Sequence, residues 1–195
     1  MNLFYEEYPV FIRVEGEIIP IHTDFRKYIK LMDMLKSEDA SDSEKAEFIC
    51  SFFLKMPSDI NKAIGRFLDF VLMKDLKLPA REGTENGEEG SGMESEKPVK
   101  ALYSFEYDYP FILSGFLQCY QINLKTIDYM HWWEFRCLFQ GLPDDTGIKQ
   151  RIQYRNYDLS SIKDKAERRR IRRIQNEIRL PSEQMSDYEI GNAFM

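Results

Sequence analysis

Histidine and cysteine are scarce: the 195 residues hold two histidines, His22 and His131, and three cysteines, Cys50, Cys119 and Cys137. Two histidines exclude a multi-histidine metal centre within one chain, and no cysteine pair has the C-x-x-C spacing of a zinc or dithiol site. Zinc held by His131 with Cys137 would need carboxylates or a second chain to complete it. Widely spaced thiols in odd number do not outline a disulfide scaffold, so each cysteine reads as a small apolar residue on a helix face. Also missing are a glycine-rich phosphate loop, an H-E-x-x-H helix, a nucleophile elbow and a calcium-binding loop. Carboxylates are plentiful, but no spacing separates acid–base work from ordinary surface charge. No catalytic residue, metal or cofactor is therefore expected, and an enzyme is the least favoured class. Long apolar runs are lacking too: nothing approaches the roughly 18 residues of a membrane-spanning helix. The segment Met1–Glu7 is acidic and has neither the basic start nor the apolar centre of a secretory signal. The expected location is the cytoplasm, with no membrane partner.

What is present is core-forming material. Hydrophobic residues make up 43% and aromatics 14% of the chain, more than wholesale disorder allows. A formal charge of −6 and a sequence pI near 5.1 oppose a nucleic-acid coat protein, while leaving room for a local basic patch.

The pattern predicts a mostly α fold, a bundle of about six to seven helices behind a short N-terminal β-hairpin, with a disordered acidic linker. Val10–Val14 and Glu17–Ile21 are rich in β-formers and flank a turn at Gly16, with Pro20 at a strand end or edge. Thr23 or Asp24 caps a first helix carrying Phe25, Tyr28, Ile29, Met32 and Leu35. Ser41 to Glu44 has capping-box spacing and opens a second helix, read as continuing through Phe52, Phe53 and Met56 to Pro57. Ser58 or Asp59 opens a third, with Ile60, Ile64, Phe67, Leu68, Val71 and Leu72 on its apolar face. Gly65 inside it suggests a close packing contact. Residues 1–78 form this N-terminal half, and residues 79–99, rich in glycine and acid, read as a flexible linker. Residues 100–181 form the C-terminal half, which either shares one core with the first or folds beside it, and residues 182–195 read as a loose tail.

In the second half, Asp108 stands two positions before Pro110, the pattern of a cap at a helix start. Residues 127–140 are apolar on nearly every side and read as a central helix. A short helix follows over about residues 146–157, with Ile148, Ile152 and Tyr154 inward, and a last one over about residues 162–180.

Two features stand out as partner-binding candidates. Trp132, Trp133 and Phe135 crowd one helix; adjacent rings point about 100° apart, so they are either packed on two sides in the core or one meets a partner. The last helix carries Lys163, Lys165, Arg168, Arg169, Arg170, Arg172, Arg173 and Arg179 off its isoleucine stripe, with Arg151 and Arg155 extending that face. This is either a solvated charged surface or a site for nucleic-acid phosphates or an acidic protein. His131 beside the tryptophans reads as a buried, hydrogen-bonded residue.

The blocks Asp108-Tyr109-Pro110-Phe111-Ile112, Gln118-x-Tyr120-x-Ile122-Asn123-Leu124, Met130-His131-Trp132-Trp133-Glu134-Phe135, Gly141-Leu142-Pro143 and Ile152-Gln153-Tyr154-Arg155 resemble the bacteriophage "gene product fifteen" family. The likeness extends to Ile178-Arg179-Leu180-Pro181 and to Thr23-Asp24-Phe25-Arg26 after the hairpin, covering most of residues 8 to 181. The linker and the tail lie outside the shared pattern. The resemblance implies a small tail-assembly protein of long-tailed phages and prophages of Gram-positive bacteria, acting in the bacterial host cytoplasm. It implies a chaperone for the tape-measure protein, a long apolar helical rod, that self-associates and is absent from the finished virion. Binding exposed helices in a groove suits a helical body with several apolar faces. Candidate partner-binding residues are then Trp132, Trp133, Phe135, Arg151, Tyr154, Arg155, Arg169, Arg172 and Arg173. The alternatives are a nucleic-acid-binding regulator using the basic last helix, which the acidic balance disfavours, and a structural tail subunit.

Overall fold

The computed structural model describes residues 2–37, 39–76 and 102–180. The expectations for the acidic linker and the C-terminal tail fall outside the described residues. Among those residues the chain forms a two-stranded antiparallel hairpin followed by seven α-helices.

The hairpin pairs β1 (Phe11–Val14) with β2 (Glu17–Pro20), Val14 lying opposite Glu17 and Phe11 opposite Pro20. The two-residue turn holds Glu15 at φ 48° and Gly16 at φ 87°, the positive pair a tight primed turn requires. Ile12, Val14 and Ile19 face inward. On the far side of β2 the segment after the second helix joins: Leu54 N donates to the Pro20 carbonyl at 2.9 Å, and Ile21 bridges Phe53.

α1 (Phe25–Lys36) is capped by Asp24, whose carboxylate accepts from Arg26 N. α2 (Asp42–Cys50) opens with the expected capping box between Ser41 and Glu44. It stops well short of Pro57, because Phe52, Phe53 and Leu54 leave the helix to hydrogen-bond alongside β2. α3 (Ile60–Val71) takes Asp59 as its cap, the carboxylate accepting from Lys62 N. A Cβ built on Gly65 would meet nothing within 4 Å, so close packing does not account for that glycine.

α4 (Phe105–Tyr120) begins at Phe105, three residues before the expected cap at Asp108. Asp108 instead lies inside the helix, buried, and accepts from the Ser104 N–H at 3.0 Å. Pro110 stands within α4, where it withholds the N–H that would have reached the Glu106 carbonyl. The central apolar helix is shorter than its composition suggests: α5 (Trp132–Gln140) starts five residues after Ile127. The preceding backbone is used elsewhere. Phe25 N donates to the Met130 carbonyl and Trp132 N to the Thr23 carbonyl, at 3.1 and 2.8 Å, so this stretch is tied to the entrance of α1. α6 (Gly147–Asn156) leads through a 3-10 turn at Leu159–Ser161 into α7 (Lys165–Glu177), whose cap is Asp164.

One buried cluster draws on both halves. Tyr28, Leu31, Phe52, Phe67 and Phe70 from the first pack with Phe116, Trp132, Trp133 and Phe135 from the second. Trp132 stacks on Tyr28 at 5.0 Å and donates its indole N–H to the Val71 carbonyl at 3.0 Å. Trp133 does the same to Phe70, at 2.9 Å. Both carbonyls belong to the last turn of α3, beyond the reach of its regular ladder; the Phe70 carbonyl also accepts from the Met73 N–H at 3.0 Å, and the Trp133 indole adds a second donor.

Candidate functional site: an apolar groove between two helices

α1 and α4 do not close completely over α5. Between them lies a partly open groove of about 270 Å³ lined by Phe25, Arg26 and Ile29 of α1, Phe105, Tyr109, Ile112 and Leu113 of α4, Leu124 and Lys125 of the connecting loop, and Phe135 of α5. Helical spacing explains the wall. Positions 105, 109, 112 and 113 fall on one stripe of α4 that runs from the core, where Phe105 and Ile112 are buried, out to the exposed Tyr109.

Stacked rings make the floor. Phe135 lies between Phe25, centroids 4.7 Å apart, and Phe116, 5.2 Å apart. Arg26 fixes the rim. Its guanidinium pairs with Asp24 at 2.8 Å, lies 4.9 Å from the Phe25 ring centroid, and donates to the carbonyls of Leu124 and Ile127. That arginine ties α1 to the loop holding Leu124 and Lys125. Tyr109 is 58% exposed at the mouth.

The residues singled out in the sequence are scattered by the fold. Trp132 and Trp133 have no exposed surface and spend their N–H groups on the end of α3, so neither ring offers itself to a partner. Phe135 is buried beside them, yet its ring reaches the groove. Arg155 does not extend a cationic face. It is buried, pairs with Asp108 through two hydrogen bonds, and donates to the carbonyls of Leu102 and Ile178. Arg151 lies flat on Phe111, 3.7 Å from the ring centroid, and 3.8 Å from Asp108. Burial holds its pKa below the usual arginine value, against the pull of Asp108. Tyr154 is half-buried, and its carbonyl accepts from Gln175 of α7. Arg169, Arg172 and Arg173 remain exposed on α7, away from the groove.

His131 is the buried, hydrogen-bonded residue its surroundings suggested. Its Nδ1 accepts from Trp133 N at 3.0 Å as the cap of α5, which leaves Nε2 to carry the proton donated to the Pro9 carbonyl at 3.0 Å. Tyr8 stacks on the ring at 4.8 Å. Burial lowers the pKa of His131, only partly offset by the Pro9 bond.

Sequence reasoning passed over the groove itself. Tyr109, Leu113, Ile29 and Lys125 each look ordinary in their own helix or loop, and only the packing angle of α1 on α4 brings them together. A family model described as Bacteriophage Gp15 protein matches residues 5–180, nearly the whole described chain. The chain belongs to that family. The resemblance read from the W-W-x-F block and the later Tyr154-Arg155 is thereby upheld, and the protein is a bacteriophage protein. Within this Gp15 protein those family blocks map mainly to the core and the Asp108–Arg155 pair rather than to the groove. No curated protein and no solved structure matches the chain.

Proposed function

We propose that this Gp15 family protein is a tail-assembly protein that holds an apolar helical segment of the tape-measure protein before the tail tube closes around it. The observation that carries the reading is the groove between α1 and α4, an apolar cleft left open at the surface with a stacked aromatic floor and an exposed tyrosine at its mouth. Its volume of about 270 Å³ is too small for a whole helix and suits the anchor side chains of one, as in helix-in-groove recognition. Arg26 ties α1 to the connecting loop at the rim. A preformed cleft spends little of its binding energy on ordering.

The test is co-expression with overlapping tape-measure fragments. The native chain is expected to keep at least one fragment soluble and to co-purify with it. Leu113→Asp, a half-buried groove position, should abolish capture, while Arg172→Gln on exposed α7 should leave it intact. Capture that survives Leu113→Asp in a folded variant would move the site elsewhere, and no capture of any fragment would remove the reading.

A further inference from the structure

The hairpin has one open edge. Ile21 N donates to the Val10 carbonyl, and Val14 faces Glu17 across the turn, so the ladder bonds of β1 fall at residues 10, 12 and 14. Phe11 and Arg13 alternate with these, and their N–H and C=O groups point away from β2. No described residue hydrogen-bonds to either backbone unit. The far edge of β2 is met by Leu54, whereas two donors and two acceptors on β1 stand open. They repeat at about 6.8 Å, the two-residue spacing of an extended chain.

A cleft of about 150 Å³ runs along that edge. Pro9, Phe11, Ile12 and Arg13 line one side. Successive strand side chains point to opposite faces, so a cleft touched by three in a row lies along the edge. Arg66 and Phe70 of α3 line the other side, since α3 packs against β1, whose Ile12 and Val14 are buried. Space of this size holds one ring-sized group. Asp75 completes the lining, so the side chain that enters is uncharged. On the outer face Arg13 is exposed and makes no ion pair among the described residues; its guanidinium lies 5.3 Å from the Phe11 ring centroid.

We infer that an extended segment of a protein partner adds as a strand to the β1 edge, bonding to the Phe11 and Arg13 backbone. One aromatic or leucine side chain of that segment fills the cleft, and an acidic residue next to it in sequence lies beside Arg13. Neighbouring side chains of an added strand face opposite ways, which sends one to the cleft and the other to the outer face. A second copy of this chain fits worse. Edge-to-edge pairing would set two α3 helices, each about 10 Å across and each overhanging its own edge, over strands about 5 Å apart, and would gather two Arg13 side chains. The cleft shares no lining residue with the groove between α1 and α4, and the inference does not rest on that groove's role.

The experiment selects displayed random octapeptides on the full chain and follows amide hydrogen exchange of the protein with the tightest one. Selected sequences are expected to set an acid beside an apolar residue. The Phe11 and Arg13 amides, fast in the free protein, should slow on binding. Arg13→Pro removes one outward N–H and the charge without touching the β1–β2 ladder, and should weaken binding about tenfold or more, with the urea midpoint confirming that the variant folds. Arg13→Glu, which keeps the N–H, should turn the selected acids into lysines and arginines. Peptides that bind a folded Arg13→Pro chain as tightly as the native one, or no selected peptide at all, would overturn the inference. Protection of the two amides that grows with protein concentration and needs no peptide would overturn it in favour of pairing between copies. Peptides lost on Leu113→Asp and kept by Arg13→Pro would overturn this site and leave the groove reading standing. Binding at the edge without capture of any tape-measure fragment would do the reverse.

Discussion

Arg155 and Asp108, 47 residues apart, meet inside the protein as a two-pronged ion pair, Nη1 on Oδ2 at 2.5 Å and Nη2 on Oδ1 at 2.9 Å. Neither side chain is more than 3% exposed. The remaining donors of the arginine reach the carbonyls of Leu102 and Ile178, and the carboxylate also caps the Ser104 N–H. One pair thus fastens the start of α4, the end of α6 and the exit of α7. Charges taken this far from water are tolerated because they meet each other and because carbonyls and an N–H answer the groups around them.

Removing one partner leaves the other charged and alone in the interior. Arg155→Met is expected to cost about 3–5 kcal/mol, read from urea unfolding, and Asp108→Leu a similar amount. The double variant should lose much less than the sum of the two. Additive losses would mean that the pair does not act as a unit.

His131 predicts a pH dependence. Protonating Nδ1 would turn the acceptor of the Trp133 N–H into a second donor and break the α5 cap. Its folded pKa lies below the ordinary value of about 6.5, so the unfolded chain binds the proton first. Stability is accordingly full above about pH 6.5 and falls as pH drops below that value. His22, lowered mainly by burial, acts in the same direction. The urea midpoint should fall between pH 7.5 and 5.5, and His131→Asn, which keeps a cap acceptor but does not titrate, should flatten that slope. Parallel slopes in the two chains would assign the effect elsewhere.

Gly65 predicts a gain. It lies inside α3 with open space where a Cβ would go, and its backbone is ordinary helix. Gly65→Ala is expected to stabilise the protein by about 0.5–1 kcal/mol through helix propensity and a less free unfolded chain. A melting temperature that falls instead would show that the glycine serves something other than α3.

Much of the architecture was legible because its signals are local. The glycine of the hairpin turn, the Asp24 and Asp59 caps and the Ser41–Glu44 capping box each act within four residues of themselves. The failures share a cause. Periodicity extends α2 through Phe52 and Phe53, and α5 back through residues 127–131, because both stretches are apolar at helical spacing. In each case the backbone hydrogen-bonds to a distant strand or helix entrance instead, a competition invisible to periodicity. Asp108 looked like a cap because nothing nearby announces Arg155.

The candidate site divides along the same line. Sequence by itself determined the helical class, the hairpin, the absence of familiar catalytic motifs and the family, since these rest on residue identity and short-range spacing. It did not determine which aromatic faces outward. Trp132 and Trp133 stood out by composition, yet the core absorbs them: their rings pack against Tyr28 and Phe70, and their indole N–H groups find the Val71 and Phe70 carbonyls at the end of α3. Which arginines stay in water and which are buried depends on where a carboxylate from another helix arrives. The groove exists only because the packing of α1 on α4 leaves Tyr109 exposed and Leu113 half-covered beside Phe135. That gap is a property of how two surfaces meet, and neither surface carries it alone.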